Sequence, residues 1–252
     1  MKAIILIAGK GTRLKPITNT IPKCLIKVNG KEILLNVLSI LDKNRFEEVI
    51  CVVGYLGNKV RQKIKHLSTN MKISLIENAS YEETNSSFSL WLALKDLNID
   101  DTLLVLEGDI IFENDLVVNL INNSHDTAVA LQKCNLRQPH SFIVVDSRGL
   151  VINWIIHKGK MVVDSNYNDR FKRVGIFKFG REFIRVFLMP ILREHIKRYG
   201  GTEPLDNVIH DLIVNKNAKI GLFEVENLKW FEIDDIDDLI NARKLFKNVK
   251  LN

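Results

Sequence analysis

Two carboxylates and two cations stand out as groups that could hold a phosphorylated ligand. Asp109 lies in EGD, just after the apolar run 102–106, and Asp234 lies in WFEIDDIDDL towards the end of the chain. Carboxylate oxygens are the hard donors that Mg²⁺ prefers. Each aspartate also has an ordinary reading as a turn or capping residue; Asp235 is the expected cap of a last helix over 236–247. At the other end, AGKGTRLKPITNTIPK sets Gly9, Gly11, Thr12 and Arg13 ahead of Pro22 and Lys23. Glycines would let backbone N–H groups come close to phosphate oxygens. Arg13 would grip a terminal phosphate with a planar fork, and Lys23 would act as a mobile point charge. The same stretch also reads as a surface turn with two solvated cations, and its residues alone leave both open.

Two better-known phosphate loops do not fit. A dinucleotide fingerprint needs a third glycine where Leu14 stands, followed at once by a helix, which Pro16 and Pro22 prevent. A Walker A loop needs an earlier glycine that Lys10-Gly11-Thr12 lacks. What remains is a long loop from Gly9 to Lys23 with a cation near each end.

The elements that must position these groups alternate through the first half. Strands are expected over 3–8, 48–53, 73–76, 102–106 and 128–131, with helices over 33–41, 60–66, 86–97 and 115–121. That order predicts an α/β, Rossmann-like, mixed but mainly parallel sheet with helices on both faces. Ligands sit at the carboxyl ends of such strands, where Asp109 would lie. After about residue 138, SFIVVD, VINWIIH and FKRVGIFKF read as a smaller antiparallel part, expected to be a meander. Helices follow over 183–199 and 205–214, then strands over 220–225 and 229–233. No linker or repeat divides the chain, so residues 1–252 read as one domain whose later part supplies one wall of a cleft.

Composition excludes other classes. With 252 residues, 46% hydrophobic and 26% charged, the chain can bury a full core. It has no apolar run of membrane-span length and no signal-peptide pattern, so a cytoplasmic location is expected. Three cysteines without CxxC spacing argue against a disulfide framework or zinc site. The net charge of +6 is scattered rather than gathered in an arginine-rich block, which disfavours nucleic acid and suits acidic small substrates.

The spacing AG-x-G-T-R, then Pro22-Lys23, resembles the sugar-phosphate and choline-phosphate nucleotidyltransferase family. The likeness continues through GKEILLNVL, VVGY, EGD and WFEIDDIDDL, and so spans nearly the whole sequence. It implies the nucleotidyltransferase fold, with 1–135 mainly nucleotide-binding and 136–252 mainly acceptor-binding, and Asp234 returning to the metal site. It also implies that Asp109 and Asp234 hold Mg²⁺ and that Arg13 and Lys23 are catalytic. Leu6, Ala8, Gly9, Gly11, Thr12 and Gly108 would join Arg13 and Lys23 around the nucleotide.

ENASYEETNSSFSLWLAL resembles the cytidylyltransferase branch at Asn78, Tyr81, Asn85, Ser86, Ser89 and Leu90, although Ser86 stands where that branch often has a second asparagine. This implies CTP, with Asn78, Asn85 and Ser86 near the base. Lys158, Gly175 and Asp206 match acceptor positions, and Arg173 is expected beside them at the acceptor. Arg170 and Arg173 would suit an acceptor with a carboxylate, while Trp154, Tyr167 and Asp206 could box an amine. The expected reaction is transfer of CMP from CTP to a small non-sugar phosphomonoester, phosphocholine-like or an amino-acid phosphate such as L-glutamine phosphate, in capsule or cell-surface polysaccharide modification. A sugar-1-phosphate uridylyl- or thymidylyltransferase and a non-catalytic nucleotide sensor are the alternatives. No nucleic-acid or membrane partner is expected, and a homodimer is compatible.

Overall fold

The computed structural model describes residues 1–134, 142–156, 170–249 and 251. Its centre is β1 (Lys2–Ile7), whose side chains alternate between two buried faces. Ala3, Ile5 and Ile7 pack with Leu34, Val37 and Leu41 of α1 (Ile33–Lys43), while Ile4 packs with Leu90 and Leu94 on the opposite side. Burial on both faces explains why this strand is apolar without a break. Flanking β1 in parallel are β4 (Glu48–Val53) and β6 (Leu103–Glu107), and β5 (Lys72–Glu77) continues beyond β4. Two short strands, β2 (Lys27–Val28) and β3 (Lys31–Glu32), form a separate hairpin after the glycine loop. Helix α2 (Gly57–Lys65) follows β4, and α3 (Ser86–Leu94) follows β5, as expected.

The later part joins the same sheet. Strands β8 (Ala128–Lys133), β9 (Phe142–Val145), β10 (Val151–Ile155) and β11 (Arg170–Phe179) are antiparallel among themselves where they pair, but β9, β10 and β11 do not form the expected meander. The sheet runs β10-β9-β11-β6-β1-β4-β5, with β8 also on β11 and β12 (Gly221–Glu224) on β8. The reason lies in the length of β11. Its first residues pair with β9, its last four pair with β6, and its register on β8 shifts between Arg173 and Phe177. Gly175 sits in that irregular stretch at φ 86°, a conformation glycine adopts without strain.

The remaining elements pack around this sheet. Strand β7 (Ile110–Phe112) pairs antiparallel with β13 (Trp230–Glu232), and α4 (Asn114–Ile121) follows β7. A helical run comprises α5 (Arg181–Phe183), a π-helical turn over Ile184–Leu188 and α6 (Met189–Tyr199); α7 (Leu205–Val214) comes next. The last helix, α8 (Ile236–Leu245), begins in a reciprocal cap between Asp235 and Asp238. Leu14 of the glycine loop and Ile26 just after it pack with Ile233, Leu239 and Phe246, so α8 supports that loop. No helix among the described residues is long and apolar enough to cross a membrane.

Candidate active site

The carboxyl ends of β1 and β6 open onto a cavity of about 430 Å³. The two ends approach so closely that a Cβ on Gly108 would lie 2.0 Å from Ile7 Cγ2 and 2.7 Å from the Leu6 carbonyl. Gly108 is therefore required by packing, and the turn it makes carries Glu107 and Asp109 to the cavity.

One wall is the glycine loop. Gly9, Gly11, Thr12, Arg13 and Lys23 all line the cavity, as do Leu6 and Ala8. The loop is a chain of tight turns rather than a solvated flap. Thr18 Oγ1 donates to the Gly11 carbonyl at 2.9 Å, and Tyr55 OH donates to the Thr18 carbonyl at 2.8 Å. Gly11 adopts φ 59°, and a Cβ there would stand 3.1 Å from Lys23 Cβ.

Lys23 Nζ lies between the two aspartates, 2.8 Å from Asp109 Oδ2 and 2.9 Å from Asp234 Oδ1. Arg13, mostly exposed, reaches Asp234 Oδ1 at 2.7 Å. Burial works against the Lys23 charge, but Asp109 and Asp234 more than offset it and hold its pKa above the usual value. Burial likewise works against the Asp234 carboxylate, and the hydrogen bond and charge of Lys23, helped by Arg13, hold its pKa below the usual one. Residues 211 positions apart thus share one charge network.

The opposite wall is more acidic. Arg173 donates from Nη1 to Glu107 Oε2 and forms an ion pair through Nε with Asp206 Oδ1 at 3.1 Å, and its Nη2 lies 4.0 Å from Glu232 Oε1. Burial pushes the Glu107 carboxyl up to about 7, against Arg173 and together with Asp109 and Asp206. Burial also raises Glu232, against Arg173 and with Asp109 and Asp234 adding. Trp154 is buried and donates from Nε1 to Asp206 Oδ1 at 3.0 Å, while His210 Nδ1 donates to the Trp154 carbonyl at 2.6 Å. Trp154 therefore steadies Asp206 and does not form an exposed aromatic box. Gly175 lies behind the cavity, where a Cβ would come within 2.6 Å of Glu107 Oε2; it makes room for that carboxylate. Arg170 is buried over the Phe142 ring and does not line the cavity. Lys158 and Tyr167 lie outside the described residues.

The third wall is the start of α3. Asn85 caps it, its Oδ1 accepting from Ser86 N at 2.8 Å. Ser86 Oγ accepts from Leu205 N at 2.8 Å, which ties α3 to α7. Asn78 borders the cavity but is buried, with Nδ2 donating to Thr84 Oγ1 and Ser89 Oγ and Oδ1 accepting from Ser80 N. It holds the segment leading to α3 in shape. Asn85 Nδ2 has no hydrogen-bond partner among the described residues and stays available to a ligand.

The donor set fits a divalent cation. Asp109 Oδ1 is buried and has no hydrogen-bond partner. Glu107, Asp109 and Glu232 each offer a carboxylate oxygen, with these atoms within 4.8 Å of one another. All are hard oxygen donors of the kind that hold Mg²⁺. Asp234 is outside that trio and is bound to Lys23 and Arg13 instead. Glu107 and Glu232 are not among the residues expected from sequence. The available signal was the repeated Glu-x-Asp, at Glu107–Asp109 and Glu232–Asp234.

A family model described as nucleotidyl transferase matches residues 2–245. The chain belongs to that family. Among relatives, the bifunctional protein GlmU of Methanococcus aeolicus is 31% identical over 99% of this chain. The CMP-5'-(3-aminopropyl)phosphonate synthase of Streptomyces rubellomurinus is 26% identical over 94% of it. This chain spans only 56% of the first relative and 37% of the second. A choline-phosphate cytidylyltransferase of Streptococcus pneumoniae is 25% identical over 98% of this chain and 99% of its own length. A solved CTP:phosphocholine cytidylyltransferase from the same species has the same fold, with a TM-score of 0.73 at 23% identity over 97% of this chain and 98% of its own.

Proposed function

We propose that the protein is a Mg²⁺-dependent cytidylyltransferase that transfers CMP from CTP to a small non-sugar phosphomonoester. An acceptor phosphate oxygen would bond to the α-phosphorus, the bond from that phosphorus to the β-phosphate bridge would break, and pyrophosphate would leave. Both reactants are anions, so the protein's work is charge neutralisation and alignment. The observation that carries this reading is the placement of Lys23 between Asp109 and Asp234 on the glycine loop's side of one cavity.

In this reading Arg13 and the backbone of Gly9, Gly11 and Thr12 hold the outgoing phosphates, and Lys23 steadies the α-phosphate. Asp109 and Asp234 would hold Mg²⁺, with Glu107 and Glu232 beside them. The ion supplies positive charge where the phosphates meet. Asn85 at the start of α3 suits a pyrimidine edge, which offers acceptors to its amide N–H₂. The names of two relatives, for CMP and for choline phosphate, support cytidine. At the acceptor end, one arginine faces three carboxylates, which favours an acceptor with an ammonium group, as in phosphocholine-like compounds and amino-acid phosphates.

Pyrophosphate release tests this directly, with CTP, UTP and dTTP each offered against a panel of phosphomonoesters and sugar 1-phosphates. Release is expected only with CTP and an ammonium-bearing acceptor. Release from UTP or dTTP with a sugar 1-phosphate would replace this reading with the sugar-nucleotide one. CTP binding without release across the panel would make the protein a nucleotide sensor.

A further inference from the structure

The end of α3 far from the catalytic cavity borders a second concavity of about 450 Å³, between α3 and the helical run that begins at Arg181. Helix α3 has nine residues, so about 13 Å separates its two ends. Four cationic side chains line this groove, Lys95, Arg181, Arg185 and Arg193, against one carboxylate, Asp100. Asp100 already accepts from Asn98 Nδ2 at 2.8 Å. Lys95 lies over the Trp91 ring, 5.2 Å from its centroid, and reaches Asp96 at 3.8 Å. Arg181, Arg185 and Arg193 are exposed, and none has an ion-pair partner among the described residues. Asp101, Asp126 and Glu182 share an adjoining groove with Arg181 and Arg185, yet none of them closes a pair with either arginine. Leu97, Ile99 and Met189 give the main groove an apolar side.

The backbone contributes to this grouping. In an unbroken α-helix, eight residues would carry Arg193 about 80° around from Arg185. The π-helical turn over Ile184–Leu188 winds more slowly and takes out part of that rotation, so both arginines face one groove. Such wide turns are uncommon and concentrate at functional sites.

We propose that this groove is a second ligand site that binds a nucleoside di- or triphosphate. Arg181 and Arg185, one turn apart and so about 6 Å from each other, suit neighbouring phosphates, which guanidinium forks hold in a bidentate manner. The apolar side takes the base. Arg193 and Lys95 complete the charge match. The volume is within the range of small-molecule sites, about 300–1,000 Å³.

The test is calorimetric titration with CDP at about 150 mM salt, where exposed charges beyond one screening length no longer dominate. The wild type is expected to show two classes of site. R185A/R193A should lose at least tenfold affinity in one class while keeping nucleotidyl transfer and melting temperature within error of the wild type. Lys23→Ala should weaken the other class only. Inorganic pyrophosphate, which lacks a base, should bind the second class more weakly than CDP does. A single class of CDP site in the wild type, or unchanged binding by R185A/R193A, would overturn the proposal.

Discussion

The two charged walls of the cavity are built from similar groups in opposite proportion. On the glycine-loop side, two cations, Lys23 and Arg13, meet two carboxylates, Asp109 and Asp234. On the far side, one cation, Arg173, meets three, Glu107, Asp206 and Glu232. The first set is balanced, and both of its cations stand on the glycine loop. In the second set the guanidinium is held on two carboxylates by the sheet, and removing it leaves buried charge with nothing opposite. Like ion pairs are thus set differently: under the proposed function the first readies charge for a ligand, and the second holds a wall in place.

The sharpest way to break that contrast is to remove one cation from each wall. Lys23→Ala should cost roughly 10²- to 10³-fold in kcat, the usual loss for one preorganised charge at a reacting phosphate or oxyanion. Asp109→Ala should fall in the same range, measured as pyrophosphate release at saturating CTP. Arg173→Met should show itself mainly in stability. Breaking a buried pair costs about 3–5 kcal/mol, and with the Arg173 side chain 27% exposed the lower end applies. For a chain of this size that is a fall in melting temperature of roughly 6–12 °C. A variant at Lys23 that melts as early as the one at Arg173 while keeping its rate would reverse the assignment of the two walls.

How much of this was legible in the sequence follows the same divide. Gly9, Gly11, Arg13 and Lys23 stand within fifteen residues, and their types already restrict what the loop can do. The Asp235 cap was readable too, since Asp238 stands three residues on and both bonds form. The acidic wall was not, because it is assembled by pairing between distant segments. Glu232 reaches the site through the register of β13 on β7, opposite Ile110, and no local pattern encodes that register. Trp154 shows the same limit. Its indole could have lined an open box or filled the core, and only the docking of α7 on β10 decides for the core. The expected meander failed for a related reason: alternation identifies strands but not neighbours, and the long β11 pairs on both sides.

Smaller substitutions sharpen the contrast within each wall. Asn85→Ala removes the α3 cap, worth about 1 kcal/mol, and also the free amide N–H₂ proposed to read the base. Losing one neutral hydrogen bond of about 1 kcal/mol corresponds to roughly fivefold. The KM for CTP should therefore rise about fivefold, with kcat changing less. A purely structural cap would lower the melting temperature and leave the KM for CTP unchanged, so the two readings separate in one set of kinetic measurements.

The mildest change tests whether the acidic wall acts as a unit. Trp154→Phe keeps the ring that stacks on Phe177 but deletes the indole N–H that holds Asp206. Asp206 retains Arg173 at 3.1 Å, so the carboxylate stays paired and burial costs little. What is lost is its fixed direction. If Asp206 faces the acceptor, the acceptor KM should rise a few-fold, consistent with one hydrogen bond of roughly 0.5–1.5 kcal/mol, while the KM for CTP stays put. An equal rise in both constants would mean that the wall moves as a whole and that Trp154 positions the sheet end rather than Asp206 alone.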